Sequence, residues 1–253
     1  MNDLLSLAVE QANGALRPAV LTFLRVGAAM AVLPAFGEIR IPARIRLAAA
    51  IAFTAIVAPV TAHHHADGPF VLPALAETLA GLLVGLSLRL MVLALQTAAA
   101  IAAQAASLSQ LFASAGAEPM PALGTLLTLA ALALAVQAGL HVRLAELFVL
   151  SYDLLPAGRI PAAADVADWG VSAVGHATAL AFSLALPFVI AALLWNIALG
   201  IVNRAMPHLM VAFVGAPALA WGGLLVAALA APFLLQVWLA AFRGLLSDPF
   251  PDG

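Results

Sequence analysis

Four apolar tracts in this 253-residue sequence are far longer than a lipid bilayer requires. They run from about Leu72 to Leu111, Ala122 to Leu155, Val166 to Val202 and Leu209 to Leu246. At roughly 34 to 40 residues each they would measure about 50 to 60 Å as helices, against a hydrocarbon core of ~30 Å. Two shorter tracts, Leu16–Leu33 and Ile45–Val60, suit a bilayer. All six are expected to be helical, because a lipid-facing backbone must satisfy its own hydrogen bonds and none of the tracts alternates as a barrel strand would. Tilt absorbs only part of the surplus length. The long segments must therefore break, at Pro187, Pro217 or Pro232 for example, or continue beyond the lipid against other protein. The fold class expected is all-α, built of helical hairpins that pack on partner subunits.

Composition narrows the function classes. Hydrophobic residues make up 65% and charged residues 9% of the chain, where a soluble domain carries about 25% charged. The net charge is −2 and every basic residue other than histidine is arginine. No basic field is present to hold a nucleic acid. The absence of lysine removes Schiff-base chemistry and the phosphate-loop lysine, and the absence of cysteine removes disulfides and thiolate chemistry. No cofactor is expected. Asp3 and Glu10 stand where a signal peptide needs basic residues, so the first apolar segment is expected to be retained.

Arginine placement sets an expected orientation. The connectors 36–46 and 203–208 fall on one side and carry Arg40, Arg44, Arg46 and Arg204. The opposite side is poorer in arginine, which puts these connectors in the cytoplasm and both termini outside it. The stretch "GIVNRAMPHLMVAFVGAP" (Gly200–Pro217) then reads as a tight cytoplasmic hairpin. Asn203 ends one helix, Pro207 opens the next where its missing N–H does no harm, and Arg204 and His208 sit at the helix end and hairpin tip. Such a hairpin either closes two helices or offers a contact to a partner.

Four residues in "ETLAGLLVGLSLR", Glu77, Gly81, Gly85 and Arg89, recur every fourth position on one helical stripe. Glycines at this spacing let another backbone approach closely. The two ionisable groups within an apolar tract are costly unless paired or facing water or protein. We read the stripe as a packing surface with structural charges at its ends, the alternative being a proton- or ion-sensitive position. Ser107 to Gly124, "SLSQLFASAGAEPMPALG", cannot continue a helix and is expected to be a loop bearing Leu111, Phe112 and Met120. It is either a compressible apolar seal inside a channel or a surface turn.

The remaining polar groups give no catalytic constellation. His141 and Glu146 lack the spacing of a metalloprotease helix, and the run His63 to His65 has only Asp67 nearby, which fits a solvated loop. Ser172, His176 and Ser183 show no nucleophile-elbow pattern. Neither catalytic nor metal residues are assigned, and the chain is not expected to be an enzyme. A secondary transporter remains a competing class, on the strength of proline-bearing helices and ionisable residues at depth.

The segments "LPAFGEIRIPARIRLAAAIAFT" (Leu33–Thr54), "ETLAGLLVGLSLR" (Glu77–Arg89), "GLHVRLAELFVLSYDLLPAG" (Gly139–Gly158) and "GIVNRAMPHLMVAFVGAP" (Gly200–Pro217) together resemble the FliR family of flagellar export-gate proteins and its virulence type III secretion relatives. The likeness runs nearly end to end. One departure is that the family commonly has Gln and Asn after the hairpin proline, where this chain has His208 and Met210.

The resemblance implies a single export-gate domain over residues 1–253, with residues 1–106 and 122–253 as helical hairpin halves joined by the loop 107–121. It also implies a multi-pass protein of the bacterial inner membrane and flagellar basal body. In that setting the chain joins FliP-type and FliQ-type subunits around a pore for unfolded export substrates, with FlhB-type and FlhA-type proteins on the cytoplasmic side. Leu111, Phe112 and Met120 would then plug the pore, and Arg204, Pro207 and His208 would form the cytoplasmic hairpin.

Overall fold

The computed structural model describes residues 2–34, 41–65, 69–105, 121–205 and 211–250. Among the described residues every regular element is helical. The elements are α1 (Asn2–Val32), α2 (Ala43–Thr61) with a 3-10 turn at Ala62–His64, α3 (Val71–Ala105), α4 (Pro121–Gln137), α5 (Leu140–Leu154), α6 (Ala163–Ala205) and α7 (Val211–Ser247). The fold is all-α. Among the described residues four helices are long and apolar enough to cross a membrane: Ala43–His64, Val71–Ala105, Ala163–Val202 and Trp221–Ser247. A fifth span arises if α4 and α5 count together as one broken crossing.

The overlong tracts mostly remain continuous. Helix α6 has 43 residues and runs through Pro187, about 64 Å at ~1.5 Å per residue. Helix α7 has 37 residues and runs through Pro217 and Pro232. The fourth tract, read as one helix, is instead two. Gly139 adopts φ 84°, a left-handed conformation that a side chain disfavours, and the helix stops and restarts there. Pro121 opens α4, so Pro121–Gly124, read as loop, form its first turn; a proline is tolerated there because that N–H has no intrahelical partner.

Helix α5 is two-faced. Leu140, Leu144, Leu147, Phe148, Ser151 and Tyr152 are buried, whereas His141, Arg143, Glu146 and Asp153 are exposed. An outward face with these charges is costly in hydrocarbon, so α5 presents it to water or polar protein. In α2, α3 and α5 the hydroxyls of Thr54, Thr61, Thr78, Ser87 and Ser151 donate to carbonyls three or four residues earlier in their own helices. That bond removes the need for a partner on another element.

The chain divides into two compact units. The first comprises Met1–Leu90, Ala138–Ala173 and Arg243–Gly253. Its core includes Leu21, Val26 and Met30 of α1, Leu33 just beyond it, Val84 and Leu88 of α3, and Leu147 and Phe148 of α5. Phe148 meets Phe53 of α2 edge to face with ring centroids 5.8 Å apart. The second unit comprises Met91–Gln137 and Val174–Phe242. Its buried positions are rich in alanine at helical spacing, such as Ala98, Ala99 and Ala102 of α3 and Ala177, Ala181 and Ala185 of α6. Small side chains of this kind let apolar helices pack closely where no hydrophobic driving force separates protein from lipid. Trp238 anchors this unit, fully buried, donating from Nε1 to the Met91 carbonyl at 2.8 Å and stacking on Phe242.

Candidate functional site

Charge buried among apolar helices must be compensated locally. The first unit does this around Arg25, in the second half of α1. Its Nε donates to Glu77 Oε2 at 2.7 Å and one terminal nitrogen donates to Glu77 Oε1 at 3.3 Å. That second nitrogen also donates to the Leu155 carbonyl at 2.8 Å, and the other donates to the Ser151 carbonyl and Oγ at 2.9 and 3.1 Å. These contacts use the five N–H donors a guanidinium possesses. Glu77 also accepts the Gly158 N–H at 3.1 Å. Both side chains are at most 1% exposed. The pair therefore joins α1 and α3 to the end of α5 and to the connector that follows it.

The polar cluster continues on the face of Tyr152. The Arg25 guanidinium carbon lies 3.7 Å from the centre of that ring, a cation–π contact. The Tyr152 hydroxyl donates to Thr22 Oγ1 at 3.3 Å. Thr22 Oγ1 lies 3.3 Å from Thr61 Oγ1 and 3.3 Å from His65 Nε2. His65 is half-buried, just past the α2 span. Burial is the main reason its pKa is held below the ordinary 6.5, with the positive charges of Arg25, His64 and Arg17 adding to the depression and Glu77 opposing it.

The stripe on α3 faces α1 in parallel register. Gly81 lies so close to the Arg25 backbone that a Cβ there would overlap the Arg25 carbonyl oxygen, and a Cβ at Gly85 would meet the Ala29 carbonyl oxygen at 2.6 Å. Arg89 donates to the Val32 carbonyl at 3.3 Å, at the last residue of α1, where a cation complements the negative end of the helix dipole. The spacing in the sequence identified this face, but not its partner. Arg25 was missed, although an arginine within the tract Leu16–Leu33 is the kind of intramembrane charge that demands an opposite number.

Other sequence candidates separate from this cluster. Arg204 is exposed in the last turn of α6. Pro207 and His208 lie outside the described residues, as do Leu111, Phe112 and Met120. Glu146 pairs with Arg143 at 3.7 Å on the exposed face of α5, and His141 is exposed beside them. The His63 and His64 rings meet at a tilt with centroids 4.0 Å apart, and His64 stacks on Tyr152 at 5.5 Å. Ser183 and His176 are exposed on α6 and Ser172 is partly so. Among the described residues no three His, Asp or Glu groups are arranged to hold a metal.

Long apolar helices, several able to cross a bilayer, with a buried ion pair joining helix to helix, define a polytopic helical membrane protein whose charges at depth serve its own assembly. The chain belongs to the family described as bacterial export proteins, family 1, which matches residues 17–245. It is 34% identical over 237 residues to the flagellar biosynthetic protein FliR of Caulobacter vibrioides, covering 90% of this chain and 94% of that protein. This membership and the apolar helices make it a multi-pass inner-membrane component of the flagellar export machinery.

Proposed function

We propose that the chain is a core subunit of the flagellar protein-export gate, helping to form and to plug the pore through which unfolded flagellar subunits cross the inner membrane. The observation that carries this reading is the outward apolar surface of α6. Exposed side chains extend from Val171, 77% exposed, to Ile201, 65% exposed. That run is about 45 Å long at ~1.5 Å per residue, against a hydrocarbon core of ~30 Å. Lipid covers only part of it, and the surplus apolar surface needs protein.

FliP-type and FliQ-type subunits are the proposed cover for that surface, with FlhB-type and FlhA-type proteins at the cytoplasmic hairpin of Arg204, Pro207 and His208. Glu77, Gly81, Gly85 and Arg89 hold α1 and α3 together within the subunit. Leu111, Phe112 and Met120 form the seal. The role is non-enzymatic, and the flagellar relative favours the flagellar branch over the virulence one.

Deleting Leu111 to Met120 tests the seal. Membranes holding assembled complexes should leak small ions; complexes that form normally and remain tight would refute plugging. Co-expression with FliP-type and FliQ-type subunits tests the gate itself and should protect the chain from degradation. A stable solitary chain whose level ignores those subunits would refute the assembly.

A further inference from the structure

The connector after α5 forms one wall of a cavity of about 740 Å³ within the first unit, inside the ~300–1,000 Å³ range of small-ligand sites. The wall is fixed from behind. Arg25 holds the Leu155 carbonyl, Glu77 holds the Gly158 N–H, and Gly158 takes φ 70° against Pro73. Arg159 and Ile160, both exposed, follow this anchored turn and border the cavity. Opposite them, the first turns of α6 supply Asp165, Asp168, Trp169 and Ser172. Leu83, Leu154, Val166 and Phe250 make the greasy remainder.

Two features identify the occupant. Arg159, Asp165 and Asp168, all three exposed to solvent, border one open cavity, and none of them has an ion pair or side-chain hydrogen bond among the described residues. Such a site offers a cation to a phosphate and two carboxylates to an ammonium, beside an apolar wall. The cavity also lies where uncharged helix gives way to charge. Between Asp168 and Arg204 helix α6 carries no Asp, Glu, Lys or Arg, and α7 carries none before Arg243. Trp169 of α6 meets Phe250, just beyond α7, with centroids 5.5 Å apart, so these two charged ends share one level. A tryptophan such as Trp169 at this kind of boundary marks the headgroup region.

We propose that this cavity is a binding site for a zwitterionic phospholipid with a primary ammonium, of the phosphoethanolamine class. Arg159 takes the phosphate, Asp165 and Asp168 take the ammonium, and an acyl chain leaves along Val166 and Leu83. The inference rests on the membrane location of the chain and not on the gate reading.

The test is native mass spectrometry of the full chain, purified in mild detergent with whatever subunits accompany it. Phosphatidylethanolamine should be retained in preference to phosphatidylglycerol and to N-acetylated phosphatidylethanolamine, by roughly tenfold or more for the lost charge-assisted bonds. Equal retention of all three lipids overturns the proposal, and this comparison requires no variant. The D165N/D168N variant should abolish the preference, and R159Q should lower retention of all three lipids; an unchanged preference in the first or unchanged retention in the second overturns the site. A photo-crosslinker at Ile160 in native membranes should capture lipid. Capture of a polypeptide instead makes the cavity a subunit interface and overturns the proposal, whether or not the gate reading stands.

Discussion

Arg25 and Glu77 share two hydrogen bonds, of 2.7 and 3.3 Å, between α1 and α3, and both side chains are removed from solvent. Their remaining bonds run to Ser151, Leu155 and Gly158, so one ion pair fixes the relation of three helices and a connector. Removing either partner strands a buried charge and several backbone groups.

From this geometry Arg25→Met or Glu77→Met should each destabilise the subunit by about 3–5 kcal/mol, the usual cost of breaking a buried pair from one side. The double variant should cost much less than the sum, since no lone charge remains. Thermal unfolding of the purified chain with its accompanying subunits measures all three, and additive losses would mean that the pair is not coupled.

Glycine changes should separate by position. Gly81→Ala places a methyl on the Arg25 carbonyl oxygen and Gly85→Ala one near that of Ala29, each costing about 1–3 kcal/mol through forced displacement of α1. Gly175 of α6 has no atom within 4 Å of its potential Cβ. Its replacement by alanine should be neutral or gain up to about 1 kcal/mol from helix propensity. Equal effects at Gly81 and Gly175 in the same unfolding assay would contradict the close approach.

Acid should weaken the α1–α2 end of the first unit. The pKa of His65 is lowered on folding, so below its ordinary value of 6.5 the unfolded chain binds the proton first. Stability is then full above pH 6.5 and declines as pH falls through the window between 6.5 and the depressed folded value. Melting curves from pH 7.5 to 5 should show this decline, and His65→Gln should flatten that part of it. An identical profile in the variant would assign the effect to other groups.

In the second unit, Trp238→Phe removes the bond to the Met91 carbonyl and some core volume. The lost bond alone is worth about 0.5–1.5 kcal/mol, with a further loss for the space left behind. Hydrogen exchange at α3 residues beyond Met91 should rise in the variant, and unchanged protection there would deny Trp238 an anchoring role.

Hydropathy along the chain determined that the molecule is helical and membrane-embedded, because backbone in lipid has few other ways to satisfy its hydrogen bonds. The four-residue repeat from Glu77 to Arg89 marked a helix face in the same way, since helical periodicity is local. What faces that stripe is a contact across 52 residues of sequence, between Arg25 and Glu77, and no local pattern encodes it. The break at Gly139 was equally hidden, because a glycine in an apolar tract is compatible with either a continuous helix or a left-handed stop. Only packing decides between them: α5 has to set Ser151 and Tyr152 beside Arg25 while keeping Arg143 and Glu146 outside, and tertiary structure alone reconciles those demands.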